Sequence, residues 1–357
     1  MKIDRPPIRL YYWQPLIYYL CPMKPLVSIL MAVKDTEPYL PECLDSIIAQ
    51  TYPHWELIAV NDHSSDQSLT ILNRYADRDS RIRVFNSDRP SLIPALQVAY
   101  RHSRGPLINR MDSDDRMPHD KLQLLVEAWQ PYGPGTVIAG GTEHFVEEGE
   151  VGEGFRRYER WLNSVARRGA HYEEIYQECV IPSHSWLIHR DDLEAVGAFN
   201  PEVYPEDYDL CFRFYRHRLI VVGLDKVLHY WRDRSDRISR TWECYRDNRY
   251  FDLKLQYFYE LDRDYARPLV LWGGGRNGKD MAKQLLGRDD SFHWVCDNPR
   301  KIGKDVYGVR MEHYDIIAAL DHPQIVVVVT SPDGKVSIRR QLAEWDKKPG
   351  DEYWFFA

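Results

Sequence analysis

The sequence predicts an α/β protein of two units, a larger one on a mostly parallel, mixed sheet and a smaller one with the same strand and helix alternation. Three observations predict it. From Pro25 onward, strand-like and helix-like blocks alternate, the pattern of a parallel sheet covered by helices. Acidic clusters follow the strand-like blocks, at the carboxyl edge where open α/β sheets bind ligands. A glycine-rich turn between a strand and a helix opens a second alternation near Pro268. The expected division is an N-terminal extension over 1–24, a first domain over 25–265 and a second over 266–357.

Taken in order, LVSILMAV (Leu26 to Val33) is apolar enough for a strand buried on both faces. Pro38 and Pro41 precede Leu44, Ile47 and Ile48 at helical spacing, which predicts a helix ending near Gln50. WELIAV (Trp55 to Val60) is the second strand, and NDHSSD is a turn in which Ser64 or Asp66 caps a helix carrying Leu69, Ile71 and Leu72. RIRVF (Arg81 to Phe85) and PLINRM (Pro106 to Met111) are the third and fourth strands, and Pro118 opens a helix through Leu122, Leu125 and Val126. The stretch from Glu150 to Tyr265, rich in Arg, Tyr and Trp, reads as helices with an irregular antiparallel edge. In the second unit, PLVLW, FHWVCD and QIVVVVTS (Gln324 to Ser331) read as strands, KDMAKQLL as a helix, and Ile338 to Trp345 as the closing helix. A unit of about ninety residues with its own βαβ pattern can form an independent core.

Lys and Arg number 47 against 54 Asp and Glu, a net charge of −7 that confines any nucleic-acid contact to a local patch. With 44% hydrophobic and 28% charged residues, the chain has the composition of a soluble globular protein, which excludes disorder of the whole. The six cysteines lie apart without a CxxC pair, so they spell neither a zinc ribbon nor a disulfide framework and read as reduced thiols of a cytoplasmic protein. No stretch reaches the ~18 consecutive apolar residues of a membrane span. LYYWQPLIYYLC (Leu10 to Cys21) is short and broken by Gln14 and Pro15, and reads as non-spanning, with peripheral attachment at a membrane surface as the alternative.

The sharpest chemical feature is MDSDD, where Asp112, Asp114 and Asp115 crowd three carboxylates into four residues after a strand. Such charges repel unless a cation or donors neutralise them, and hard oxygen ligands select Mg²⁺ or Mn²⁺, often shared with substrate phosphates. In NDHSSD, Asp62 is left over from helix capping as an acceptor for a base or ribose. In PEDYDLCFRF, Glu206, Asp207 and Asp209 precede an apolar run, and a partly closed carboxylate there can take a hydroxyl proton; charge at a helix N-terminus is the competing explanation.

These motifs, in this order and with SLIPALQVAY and IPSHSWLIHRDDLEAVGAFN between them, resemble glycosyltransferase family 2 over some 190 residues. The resemblance implies the GT-A nucleotide-sugar-binding fold and a metal-dependent, inverting transfer from a UDP-sugar. By it, Asp62 contacts uracil, Ala32 lies against the base, Asp112 and Asp114 hold the metal and diphosphate, Arg110 supports the carboxylates, and Asp207 is the general base. The sequence departs from the family pattern at Lys34 and Asp35, where a Tyr-Asn pair is common, and at Asp233, where many relatives carry a histidine; His229 is the nearby histidine.

GGGRNG fits GxGxxG through Gly273, Gly275 and Gly278, with Asp297 ending the next strand 19 residues beyond Gly278, which marks a candidate second nucleotide site. The unit resembles the small Rossmann-like modules attached to sugar-modifying enzymes. From Cys211 to Arg249 there are ten Lys or Arg against five Asp or Glu, and Arg232, Arg234, Arg237 and Arg240 could neutralise a diphosphate or an anionic acceptor. The whole layout is also similar to the queuosine-tRNA galactosyltransferases and their bacterial relatives. The acceptor therefore stands open between a saccharide or lipid-linked glycan precursor and queuosine in tRNA. For tRNA, the Arg156, Arg157 and Arg160 cluster, the pair Arg167 and Arg168, and the Arg232 to Arg240 series are the basic candidates. A catalytically silent nucleotide-binding or scaffolding protein is the alternative of a different class.

Overall fold

The computed structural model describes residues 24–234 and 250–357. The expected extension before Lys24, with its Leu10 to Cys21 segment, and Cys21, Arg237, Arg240 and Cys244 lie outside the described residues. In the first unit the elements run β1 (Val27–Val33), α1 (Leu40–Ile48), β2 (Trp55–Asn61), α2 (Ser68–Ala76), β3 (Ile82–Asn86), α3 (Leu92–His102), β4 (Leu107–Arg110) and α4 (Lys121–Trp129). They continue with β5 (Thr136–Phe145), α5 (Glu153–Arg168), β6 (Trp186–His189), α6 (Arg190–Ala195), α7 (Glu206–Arg216), β7 (Ile220–Arg232) and α8 (Phe251–Leu261). The strands form one seven-stranded sheet in the order β3-β2-β1-β4-β6-β5-β7. β1 and β2 are buried nearly throughout because helices cover both faces, which explains their unbroken apolar runs.

From β1 the chain steps outward to β2 and β3 and then crosses back to β4 on the other side of β1, so the strand order reverses there and a crevice opens at the carboxyl end of β1. On one face α1, α2 and α4 cover Val27, Ile29, Leu57 and Leu107; on the other, Leu30, Ile58, Ile108 and Tyr208 join a larger cluster. The fold corrects two details of the sequence reading. The antiparallel strand is not an edge: β6 lies inside the sheet, antiparallel to both β4 and β5, while the edge strand β7 runs parallel to β5. The helix after Pro118 begins at Lys121: His119 and Asp120 form a turn closed by the Lys121 amide on the Pro118 carbonyl (3.1 Å), and the Gln50 side chain braces it, donating to the Pro118 carbonyl (2.7 Å) and accepting from the Leu122 amide (3.1 Å).

The second unit runs β8 (Leu269–Trp272), α9 (Arg276–Leu286), β9 (Phe292–Cys296), β10 (Asp305–Val306), β11 (Val309–His313), β12 (Gln324–Val327), α10 (Pro332–Glu344) and β13 (Tyr353–Phe355). Its six strands order as β10-β11-β9-β8-β12-β13, parallel except for β10. Only glycine fits at 278, where a Cβ would meet the Gly273 carbonyl oxygen at 1.8 Å, and this is how α9 closes on β8. One face of this sheet has its own core around Val270, Ile325 and Leu342. The other face is not independent: Leu271, Trp294, Trp354 and Phe356 belong to the same cluster as Tyr176, Phe212 and Phe258 of the first unit. Phe356 stacks on Tyr176 with ring centroids 4.9 Å apart.

Candidate active site

Strand geometry brings the predicted residues together. Ala32 ends β1, Asp62 follows β2, Arg110 ends β4 with Asp112 and Asp114 in the turn beyond, and Asp207 lies in the first turn of α7; all six line a single open cleft. The carboxyl edge of the sheet collects the first five because parallel strands end on the same side. Asp207 arrives from a distant part of the chain through the cover helix α7, which packs by Tyr208, Phe212 and Phe214.

Arg110 organises the cleft. Its buried guanidinium donates to Glu206 Oε1 (2.8 Å) and pairs with Asp112 Oδ1 (3.3 Å), tying the metal-type turn to the start of α7. Burial raises the cost of the Asp112 charge, but Arg110 outweighs it and holds that carboxyl well below the usual range. Asp207 behaves oppositely. Burial first, then the neighbouring Glu206 carboxylate, push its pKa up to about 7 against the pull of Arg110, while the Tyr208 amide donates to its Oδ1 (2.8 Å). The cleft therefore holds one acid kept ionised, Asp112, and one carboxyl poised near neutrality, Asp207.

The acidic turn is supported from below by groups the sequence reading had not assembled. Asp115 is fully buried and accepts from the Arg232 amide (2.7 Å), with its other oxygen 2.8 Å from His229 Nε2. Asp115, His184 and His229 lie close enough for their ligand atoms to fall within 4.8 Å of one another. The two imidazoles stack, however, with centroids 3.6 Å apart and planes at 16°, so their in-plane lone pairs run side by side instead of converging. This trio braces the turn. The cleft-facing oxygens of Asp112 and Asp114 have the donor chemistry that a hard divalent cation takes. His184, fully buried with neither ring nitrogen hydrogen-bonded, presents Nδ1 3.6 Å from Asp112 Oδ2 as a further neutral donor. Burial, followed by the neighbouring His229, depresses its pKa to about 3, so the ring stays neutral.

Asp62 has one oxygen occupied, accepting from the Ser91 amide (3.0 Å), and that contact orders the start of α3 beside the cleft. Asp66 serves the capping role expected of it or of Ser64, accepting from the Ser68 amide (2.9 Å) and from the Glu37 amide (2.9 Å). Lys34, marked in the sequence only as a departure from the family pattern, also lines the cleft, as do Thr36, Ser183 and Trp231, which carried no local signal in the sequence. Asp233, in place of the common histidine, makes a backbone bond to the Phe145 carbonyl (2.8 Å).

The basic series requires correction. Arg232 is buried, bound to Glu42 and Glu147 and to the Asp114 carbonyl (2.6 Å), so it is a structural brace and no surface cation. Arg234 lies in the cleft itself, donating to Asp114 Oδ2 (2.9 Å), and cannot be counted with an acceptor patch away from the donor residues. Gly273, Gly275, Gly278 and Asp297 stand apart: Gly273 and Gly275 form the turn from β8 into α9, Gly278 lies in the first turn of that helix, Asp297 is exposed after β9, and none lines the cleft.

A carboxyl-edge cleft at a sheet crossover, lined by acids and by a carboxyl poised near neutrality, has the place and the chemistry of a ligand site in an open α/β domain. Residues 28–197 match the Glycosyl transferase family 2 model, and the chain carries a GT-A-type family 2 glycosyltransferase domain. Glycosyltransferase GlyG of Streptococcus pneumoniae is 25% identical over 225 residues, covering 61% of this chain and 74% of the relative. Among solved structures, the mannosyltransferase PcManGT from Pyrobaculum calidifontis in complex with GDP-Man and Mn²⁺ aligns with a TM-score of 0.51 at 18% identity, over 74% of this chain and 70% of that one. S. aureus TarS 1-349 in complex with UDP-GlcNAc aligns with a TM-score of 0.50 at 18% identity, over 74% and 72%. The chain spans about a third of the length of the first curated relatives it matches. No helix among the described residues is long and apolar enough to cross a membrane.

Proposed function

We propose that this chain is an inverting glycosyltransferase that moves a sugar from a UDP-sugar to an acceptor hydroxyl, with Mg²⁺ or Mn²⁺ held by Asp112 and Asp114. The observation that carries the reading is the single cleft that unites Ala32, Asp62, Arg110, Asp112, Asp114 and Asp207. Asp62 and Ala32 receive the nucleotide end, and Arg110 fixes Asp112 in its ionised form. A bound divalent cation supplies positive charge against the negative charge that grows on the UDP leaving group. Asp207 takes the acceptor proton as the hydroxyl oxygen attacks the anomeric carbon opposite the leaving group, and its pKa of about 7 suits it to that transfer. The ligands in the TarS and PcManGT structures, UDP-GlcNAc in one and GDP-Man with Mn²⁺ in the other, are in keeping with this donor chemistry.

A saccharide or lipid-linked acceptor suits the surface better than tRNA. Of the basic candidates on α5, Arg160 pairs with Glu153, Arg167 with Asp225 and Arg168 with Glu174, which removes much of their attraction for phosphates. The working domain in this reading spans 25–265. The Rossmann-like unit over 266–357 adds a second candidate nucleotide site at Gly273, Gly275, Gly278 and Asp297. UDP release from a panel of UDP-sugars, with and without Mn²⁺ or Mg²⁺, tests the donor reading; release that is absent with every sugar, or indifferent to chelator, refutes it.

A further inference from the structure

Asp114 already has a cation on it. The Arg234 guanidinium donates from Nε to Asp114 Oδ2 at 2.9 Å, on the carboxylate that the proposed metal would use, and both residues line the donor cleft. Two other arginines at the acidic turn are buried. Arg232 is buried among Glu42, Glu147 and the Asp114 carbonyl, and Arg110 is buried between Asp112 and Glu206. Arg234 differs in retaining 18% side-chain exposure and in reaching its carboxylate from beyond the end of β7.

We propose that Arg234 is the exchangeable counter-ion of the donor site. It neutralises Asp114 when no metal is bound, is displaced from that carboxylate by the divalent cation, and then serves the diphosphate in the same cleft. The physical basis is simple. A guanidinium and a dication on one carboxylate oxygen repel, so the metal must break the Arg234 pair to bind; a diphosphate arriving with the metal offers the displaced guanidinium a stronger, bidentate acceptor. Metal alone therefore binds weakly, and metal and nucleotide bind cooperatively, each raising the affinity of the other by the same factor. The exchange rests on the donor-site reading above and adds to it a coupling residue specific to this chain.

The test measures Mn²⁺ binding to the full chain by electron paramagnetic resonance without nucleotide, and UDP binding by calorimetry with and without Mn²⁺. In Arg234→Gln, Mn²⁺ alone should bind about tenfold more tightly, the scale of one charge-assisted hydrogen bond released, while UDP in the presence of Mn²⁺ binds more weakly. The factor by which Mn²⁺ improves UDP affinity should shrink accordingly, and Arg234→Lys should recover part of it. Mn²⁺ affinity unchanged or weakened in Arg234→Gln, or an undiminished coupling factor, overturns the proposal. Failure of the unmodified protein to bind either Mn²⁺ or UDP would refute the donor-site reading itself and the exchange with it. Far-ultraviolet circular dichroism of the Gln variant verifies that its fold is kept, and the Lys variant supplies the comparison if it is not.

Discussion

Asp207 carries the clearest consequences of its surroundings. As the proposed base it must be ionised, so kcat/KM should rise with pH through about 7 and level off above it. Asp207→Asn should lower kcat by about 10² to 10⁴ with UDP affinity little altered, whereas the same loss in Glu206→Gln instead would move the base by one residue. A carboxyl whose pKa is raised on folding stabilises the native state fully only below its unfolded pKa near 4, and that stability is lost as the pH rises through about 7. Asp207→Asn should therefore gain in melting temperature relative to the unmodified protein between pH 5 and pH 8; a constant difference would mean that the carboxyl is not held at a raised pKa. Asp112 and Asp114 line the same cleft, and Asp112→Asn or Asp114→Asn should abolish Mn²⁺-dependent UDP binding in calorimetry while leaving the circular dichroism spectrum unchanged.

At the scale of elements, the acidic turn depends on what α1 does at its far end. Gln50 bridges the Pro118 carbonyl and the Leu122 amide, and Thr51 donates its amide to the His119 carbonyl (2.8 Å), so the end of α1 fixes the chain between the acidic turn and α4. Gln50→Ala leaves the buried Leu122 amide unpaired, while the Pro118 carbonyl keeps the Lys121 amide (3.1 Å), and should cost about 1–3 kcal/mol in denaturant unfolding. The same variant should weaken UDP binding although Gln50 does not line the cleft.

The whole molecule shares one apolar cluster across its two sheets. Trp354 and Phe356, at the end of the chain, pack edge-on and face-on to Tyr176, and Lys254 of α8 donates to the Phe356 carbonyl (2.9 Å) and the Gln177 carbonyl (3.0 Å). Trp354→Ala should cost about 3–5 kcal/mol, the range for a buried aromatic, and should lower the melting of both units together in a single calorimetric transition. Two separated transitions would show that the second unit melts alone. The acceptor also belongs to this scale. With a net charge of −7 and three of the α5 arginines paired, tRNA binding at low ionic strength should be absent or insensitive to salt. A steep salt slope would favour the nucleic-acid acceptor.

The sequence by itself determined the α/β alternation and most of the strands, because buried parallel strands must be apolar throughout and their turns must be polar. It also marked Asp62, Asp112 and Asp114, since each follows a strand, and through the family resemblance it marked Asp207 among the acids that open α7; the fold brings all four into one cleft. Tertiary structure alone decided the rest. The position of β6 inside the sheet, the pairing of Arg110 with both Asp112 and Glu206, and the merging of Trp354 and Phe356 with the first unit's core all join residues far apart in the chain. So does the fate of the two arginines after the last strand. Arg232 and Arg234 are two residues apart and chemically identical, yet one is sealed against Glu42 and Glu147 while the other rests on Asp114 in the cleft. Charge and spacing are local properties, but burial and the identity of a partner are set by whichever surface the fold brings against them.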